Sequence, residues 1–181
     1  KIMKGIFFTG FLDLVEEKFG IEMVDDIILN STLESEGVYT SVGTYSFSEM
    51  LQLLKNLSNK SGISIDNLLL IYGEHFFSVI EKSDSRVLAT YKGPIEMLPS
   101  IENHIHVEVI KIYLDAELPT FIDKEKIKNA LIMKYKSSRT MHHFGLGIIN
   151  KIFDYFNTSA EIILEKIKEE GTEVRFIINK N

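Results

Sequence analysis

The sequence predicts an α+β fold: a helical N-terminal half, then a small and mostly antiparallel sheet carrying helices. Apolar residues recur at helical spacing through the first two thirds of the chain. After Pro119 they change to period-two or continuous runs. A composition of 45% apolar and 25% charged residues over a length of 181 suits one domain that buries its own core.

Phe7, Phe8, Phe11, Leu12, Val15 and Phe19 mark the first helix, and Gly20 stops it. Glu22 to Leu29 fits a second, short helix. Ser35 to Thr44 is turn-rich, with Gly37 and Gly43 as breakers. Ser46 offers an N-cap with Glu49 three residues on as a capping box, and Leu51, Leu54 and Leu57 form the apolar stripe of that helix. Ser64 caps the next helix, which carries Leu68, Leu69, Tyr72, Phe76 and Ile80. Its Gly73 sits mid-helix at a cost of about 1 kcal/mol against alanine, which either the close approach of another body or a neutral accident would explain. A loop with a short helix follows, broken by Gly93, Pro94 and Pro99, and then a helix from about Ser100 to Tyr113. Leu118 to Ile122, Ala130 to Ser137 and Glu173 to Ile178 read as strands, and Met141 to Phe156 as a helix. Ala160 to Lys168 fits either. A helical part over about residues 1–63 and a remainder over about 64–181 are expected within the single domain.

Charge and composition exclude several functions. A net charge of −6 argues against nucleic-acid binding, which needs a basic footprint. Zero cysteines leave no disulfide, thiolate metal site or thiol nucleophile. The longest apolar runs, such as Leu68 to Tyr72, are far too short to span a bilayer. Lys1 to Gly10 lacks a signal-peptide pattern, so a cytoplasmic location without membrane contact is expected. No G-x-S-x-G accompanies Ser137 or His142, and no acid–base dyad stands out, so no catalysis is expected.

Two groups of residues point to a binding site. Five histidines are present: His75, His104, His106, His142 and His143. His104 and His106 diverge by about 200° on a helix and His142 and His143 diverge too, so neither pair shares a face as zinc ligands must. His106 sits among aliphatic neighbours, with Val109 and Ile110 one turn on, a setting that suits a haem iron. The second group is Tyr135, Ser137 and Arg139. In an extended strand they would project from one face, about 6.8 Å apart per step. The chain has only three arginines, Arg86, Arg139 and Arg175, and a guanidinium makes a planar fork for carboxylates that lysine cannot. A phenol, a hydroxyl and a guanidinium in a row about 13 Å long can donate to two separated carboxylates, as haem propionates are, or form a solvated strand face. Twelve phenylalanines and no tryptophan fit an aromatic-lined interior, or plain core packing.

Together these residues resemble the H-NOX domains, the haem nitric oxide/oxygen binding domains of bacterial gas sensors and soluble guanylate cyclase. Nearly the whole chain takes part: Met3-Lys4-Gly5 at the start, the loop Val38 to Tyr45, His106-Val107-Glu108-Val109 followed by Leu118-Pro119, the Tyr-x-Ser-x-Arg string, and the helix from Met141 to Ile149. The resemblance implies a b-type haem bound through its iron to His106, with propionates on Tyr135, Ser137 and Arg139. His104 would point away from the iron. Pro119, Phe7 and Ile105 would pack on the porphyrin, Pro119 buckling it. Phe11, Phe76, Ile80, Phe144 and Ile148 would line the gas pocket.

Dioxygen-binding members of the family carry a distal tyrosine at the position of Phe144. The other distal positions, Phe7, Phe11 and Phe76, also lack a donor, so nitric oxide and carbon monoxide are the expected gases. The lost charge-assisted bond costs dioxygen about 1.5–3 kcal/mol. Signalling is expected through release of His106 and a shift of the two halves. The partner would be a histidine kinase, a cyclic-nucleotide enzyme or a chemotaxis receptor module, and the domain would stand alone or form the sensor region of a longer bacterial receptor. A dioxygen or redox sensor of the same fold, a haem-free interaction module and a small hydrolase are the alternatives.

Overall fold

The structure is a computed structural model that describes residues 1–83, 85–101, 106, 110, 118–127, 130–168 and 173–181. It has the α+β architecture expected. Strand β1 (Ile2–Lys4) leads directly into helix α1 (Gly5–Phe19), followed by α2 (Ile21–Leu29), strand β2 (Thr44–Ser46), α3 (Phe47–Ser61) and α4 (Ile65–Ser83). The short helices α5 (Ser85–Leu88) and α6 (Pro94–Met97) and a 3-10 turn (Leu98–Ser100) come next. Strands β3 (Thr120–Ile127) and β4 (Ala130–Lys136), helix α7 (His142–Tyr155), and strands β5 (Ala160–Lys166) and β6 (Glu173–Lys180) complete the chain. Of the helix expected over Ser100 to Tyr113, only Ser100, Ile101, His106 and Ile110 are among the described residues, the last two being helical. His104 and Ile105 lie outside them.

The start of α1 shows how the fold sets up the site. Gly20, at φ 88°, ends the helix where expected. At the other end no side chain caps it. Instead the backbone N–H groups of Gly5 and Ile6 donate to the carbonyls of Gly43 and Ser41, at 2.8 and 2.9 Å. The loop therefore satisfies donors that a helix start leaves open, and β1 pairs antiparallel with β2, Ile2 opposite Ser46. These two three-residue strands are too short to leave a period in the sequence.

Two sequence expectations for α3 change. Ser46 does cap it, its hydroxyl accepting from the Ser48 N–H at 3.3 Å. Glu49, however, completes no capping box: its buried carboxylate accepts from the Ser35 and Tyr39 hydroxyls at 2.5 and 2.7 Å. Glu49 instead ties the loop to α3, because two hydroxyls of the loop reach its buried carboxylate. The buried stripe is Met50, Leu53, Leu54 and Leu57, while Leu51 is exposed.

Two hydrophobic cores form. The first joins α1, α2 and α3 to Leu68, Leu69 and Tyr72 of α4. The second packs Phe77 of α4 and Ile149, Ile152 and Phe153 of α7 on one face of the sheet, made by Leu131, Met133 and Tyr135 of β4 and Val174, Phe176 and Ile178 of β6. The sheet is antiparallel throughout, in the order β3-β4-β6-β5, and the ambiguous segment from Ala160 is its edge strand. Helix α4 thus has a face in each core. It meets α7 backbone to backbone. A Cβ on Gly73 would stand 2.0 Å from the Phe144 carbonyl oxygen, and one on Gly147 2.1 Å from that of Leu70. The body that approaches Gly73 is α7, and no larger residue fits that contact as it stands.

Candidate functional site

Tyr135 is the last inward-facing residue of β4 and is almost fully buried. Burial pushes its phenol up from the usual tyrosine value, against the opposing effects of the Ser137 hydroxyl and the Arg139 charge. The row expected along one extended strand is not straight. The strand ends at Lys136, and the chain bends over Ser138 and Arg139. The Arg139 N–H donates to the Ser137 Oγ at 3.1 Å, a turn that serine hydroxyls favour over continued pairing. That turn carries the guanidinium inward: Arg139 is 6% exposed, and its Nε donates to the Ile2 carbonyl at 3.1 Å, with Nη2 donating to the same oxygen. Ser137 and Arg139 line a cavity of about 530 Å³ at the end of the sheet, together with Lys1, Leu118, Thr120, Lys136, Ser138, Lys168 and Glu173.

His106 is half-buried, and its ring stands 6.1 Å from that of Phe121, tilted by 31°. Phe121 in turn meets Tyr135 edge-on at 5.8 Å. One aromatic residue of β3 therefore bridges the histidine and the triad. The sequence marked its strand but gave no reason to single it out. The His106 N–H donates to the Ile101 carbonyl at 2.8 Å, five residues back. Pro119 is half-buried just ahead of β3.

The phenylalanines of the expected gas pocket come together. Phe7 stacks on Phe76 at 5.2 Å, and Phe144 meets the two at 6.1 and 5.4 Å. The wall is not phenylalanine throughout, as the sequence suggested. Tyr72 lies 4.9 Å from Phe144 and 5.5 Å from the fully buried Phe11. Its hydroxyl donates to the Phe7 carbonyl at 2.6 Å, and burial pushes its pKa well up. The helical stripe in the sequence marked Tyr72 as core, but its partner is sixty-five residues away. Ile80 and Ile148 are half-buried, and Ile148 packs on the second core. His75 turns to Glu17 of α1 at 3.6 Å. His142 and His143 do not diverge as ideal helix positions would: at the first turn of α7 their rings lie 4.6 Å apart, His142 buried and His143 within 3.3 Å of Asp66.

No group of three or more histidine or acidic residues gathers to hold a bare metal ion among the described residues. The donor chemistry fits a different guest. An imidazole and a phenol that both meet Phe121, with a hydroxyl and a buried guanidinium just beyond the phenol in the chain, are donors of the kind that an iron-bearing macrocycle with carboxylate arms takes.

The family model described as Haem-NO-binding matches residues 4–164. Among solved structures, the H-NOX protein from K. algicida in the Fe(II) unliganded state is 75% identical, with a TM-score of 0.94 over 99% of this chain and 97% of that one. The H-NOX from Shewanella woodyi in the Fe(II)CO state, bound to IWP-051, is 33% identical, with a TM-score of 0.82 over 99% and 95%. The H-NOX protein from S. oneidensis in the Fe(II)NO state shares the fold at 20% identity, with a TM-score of 0.87 over 99% of each chain. A curated protein of Petrotoga mobilis, named only as a nucleotide-binding protein, is 25% identical in a match that covers 68% of this chain. The match spans less than half of that relative, 45% of its length. With a family match over most of its length, the chain belongs to the Haem-NO-binding family, the haem-based gas-sensor domains known as H-NOX.

Proposed function

We propose that this domain senses nitric oxide, and also takes carbon monoxide, at a ferrous b-type haem while excluding dioxygen. The observation that carries this selectivity is the wall formed by Phe7, Phe76 and Phe144, in which the one phenol, Tyr72, donates to a backbone carbonyl. Bound dioxygen carries partial negative charge and needs a distal donor, whereas the other two gases do not. Zero cysteines favour a haem held without covalent thioether links. The Fe(II)NO and Fe(II)CO states named for the two Shewanella proteins support the class of ligand.

In this reading His106 binds the iron, and Tyr135, Ser137 and Arg139 hold the carboxylates. Pro119, Phe7 and Ile105 pack on the porphyrin. Phe11, Phe76, Ile80, Phe144 and Ile148 form the gas side. When bound, the haem would supply a ferrous iron as the gas-binding centre. Release of His106 on gas binding would be the signalling event. The helical part, about residues 1–63, and the remainder, about 64–181, then shift relative to each other through α4, which has a face in both cores. This is a two-state element biased by a ligand. Its output goes to a histidine kinase, a cyclic-nucleotide enzyme or a chemotaxis receptor module, and the domain itself performs no catalysis.

Absorption spectra of the ferrous protein under each gas test the reading. Nitric oxide and carbon monoxide complexes are expected, with no stable dioxygen complex in air. Phe144→Tyr places one phenol in the wall with little added volume, and a partial gain in dioxygen affinity is expected because a buried hydroxyl needs an aimed geometry to offset its desolvation. A long-lived oxy spectrum in the unmutated protein overturns the nitric oxide reading, with Tyr72 the first donor to examine.

A further inference from the structure

The cavity beside the triad is more basic than holding two carboxylates by Ser137 and Arg139 requires. Among the described residues its lining carries Lys1, Lys136, Arg139 and Lys168 against one acid, Glu173, in a protein whose net charge is −6. The sheet register places these groups. At one end of the sheet Thr120 pairs with Lys136, and Lys136 pairs with Glu173. The turn between β5 and β6 closes as the Lys168 N–H donates to the Glu173 carbonyl at 3.2 Å. Lys168 Nζ then lies 3.4 Å from the Glu173 carboxylate. Glu173 thus pairs with Lys168 through its side chain and with Lys136 through the sheet register. Both lysines are exposed, whereas Arg139 is buried, so the cationic charge runs from solvent to the floor of the cavity.

We propose that Lys136 and Lys168 form a cationic rim that retains the haem by its ionised carboxylate end, with Glu173 moderating their charge. The proposal rests on the haem reading above and adds residues outside the triad. Lys136 and Lys168 line the same cavity as Ser137 and Arg139, so their charges would act on a dianionic guest held there over the screening length of about 8–10 Å at moderate salt. Concave, low-dielectric walls focus such a field. The effect belongs to the carboxylates and not to the macrocycle, which separates it from any structural role of the two lysines.

The test partitions haem between the holoprotein and an excess of a haem-scavenging protein, at low and at high ionic strength. The Lys136→Glu/Lys168→Glu variant is expected to hold haem roughly three- to tenfold less well at low salt, the range of two partly exposed charge interactions, and the difference should close at high salt. Glu173→Gln is expected to move the partition the other way, toward tighter retention. Haem dimethyl ester, whose carboxylates are blocked, should show no difference among the three proteins. Equal partition of haem in wild type and variants overturns the rim, as does a loss that is the same for the ester. A wild-type protein that holds neither haem nor ester overturns the haem reading itself.

Discussion

Single side chains carry the most direct tests. His106→Gly should remove the iron bond, so that haem is retained only when imidazole is supplied. A normal five-coordinate, histidine-ligated spectrum without imidazole would place the ligand elsewhere. Arg139→Ala should weaken haem retention more than Ser137→Ala, since a charge-assisted bond is about twice as strong as a neutral one. Equal and negligible effects would mean that the turn after β4 serves only to anchor Ile2. Tyr72→Phe removes the buried bond from α4 to the Phe7 carbonyl and should cost about 1 kcal/mol in denaturant unfolding. It should also shift the C–O stretch of the ferrous carbon monoxide complex, because Phe7, stacked on Phe76, loses its anchor.

Among the elements, the contact between α4 and α7 is exacting from both sides. Gly147→Ala would set a methyl group 2.1 Å from the Leu70 carbonyl oxygen, where backbone must move to make room. Overpacking of this kind typically costs about 1–3 kcal/mol, and a lowered thermal midpoint is the expected outcome. An unchanged midpoint would show that the two helices part at little cost. The elements themselves were legible to different degrees. Helix α1, its stop at Gly20 and strands β4 and β6 were readable because their apolar residues keep a period over many positions. β1 and β2 were not, because three residues show no period. The capping box at Ser46 failed because Glu49 found buried hydroxyl donors in a loop ten to fourteen residues away, which a local pattern does not weigh.

For the whole molecule, buried phenols tie stability to alkaline pH. Burial raises the pKa of Tyr39, Tyr72 and Tyr135 above the usual tyrosine value. Each phenol therefore holds its proton more tightly folded than unfolded. The stabilisation is fully present below the unfolded value of about 10 and is lost as pH rises through the folded values. Stability measured by chemical denaturation should accordingly fall as pH rises past about 10. Phenolate absorbance from these three residues should appear together with unfolding. Three phenols that ionise early while the fold persists would contradict their burial.

Family membership and fold class were written in the chain as local strings and periods: His106 ahead of Pro119, the Tyr-x-Ser-x-Arg spacing, and the change from helical to alternating apolar order. Periodicity follows from the geometry of a single element, so it survives in sequence alone. What Arg139 and Tyr72 bond to was decided by tertiary structure. The guanidinium reaches the carbonyl of Ile2 at the opposite end of the chain, and the phenol spends its proton on Phe7. The same holds for Phe121 between His106 and Tyr135, for Gly147 against Leu70, and for the lysines that the sheet register gathers around Glu173. Each depends on where two distant segments pack, and a donor's partner is set by the segment that arrives beside it, not by its neighbours in the chain.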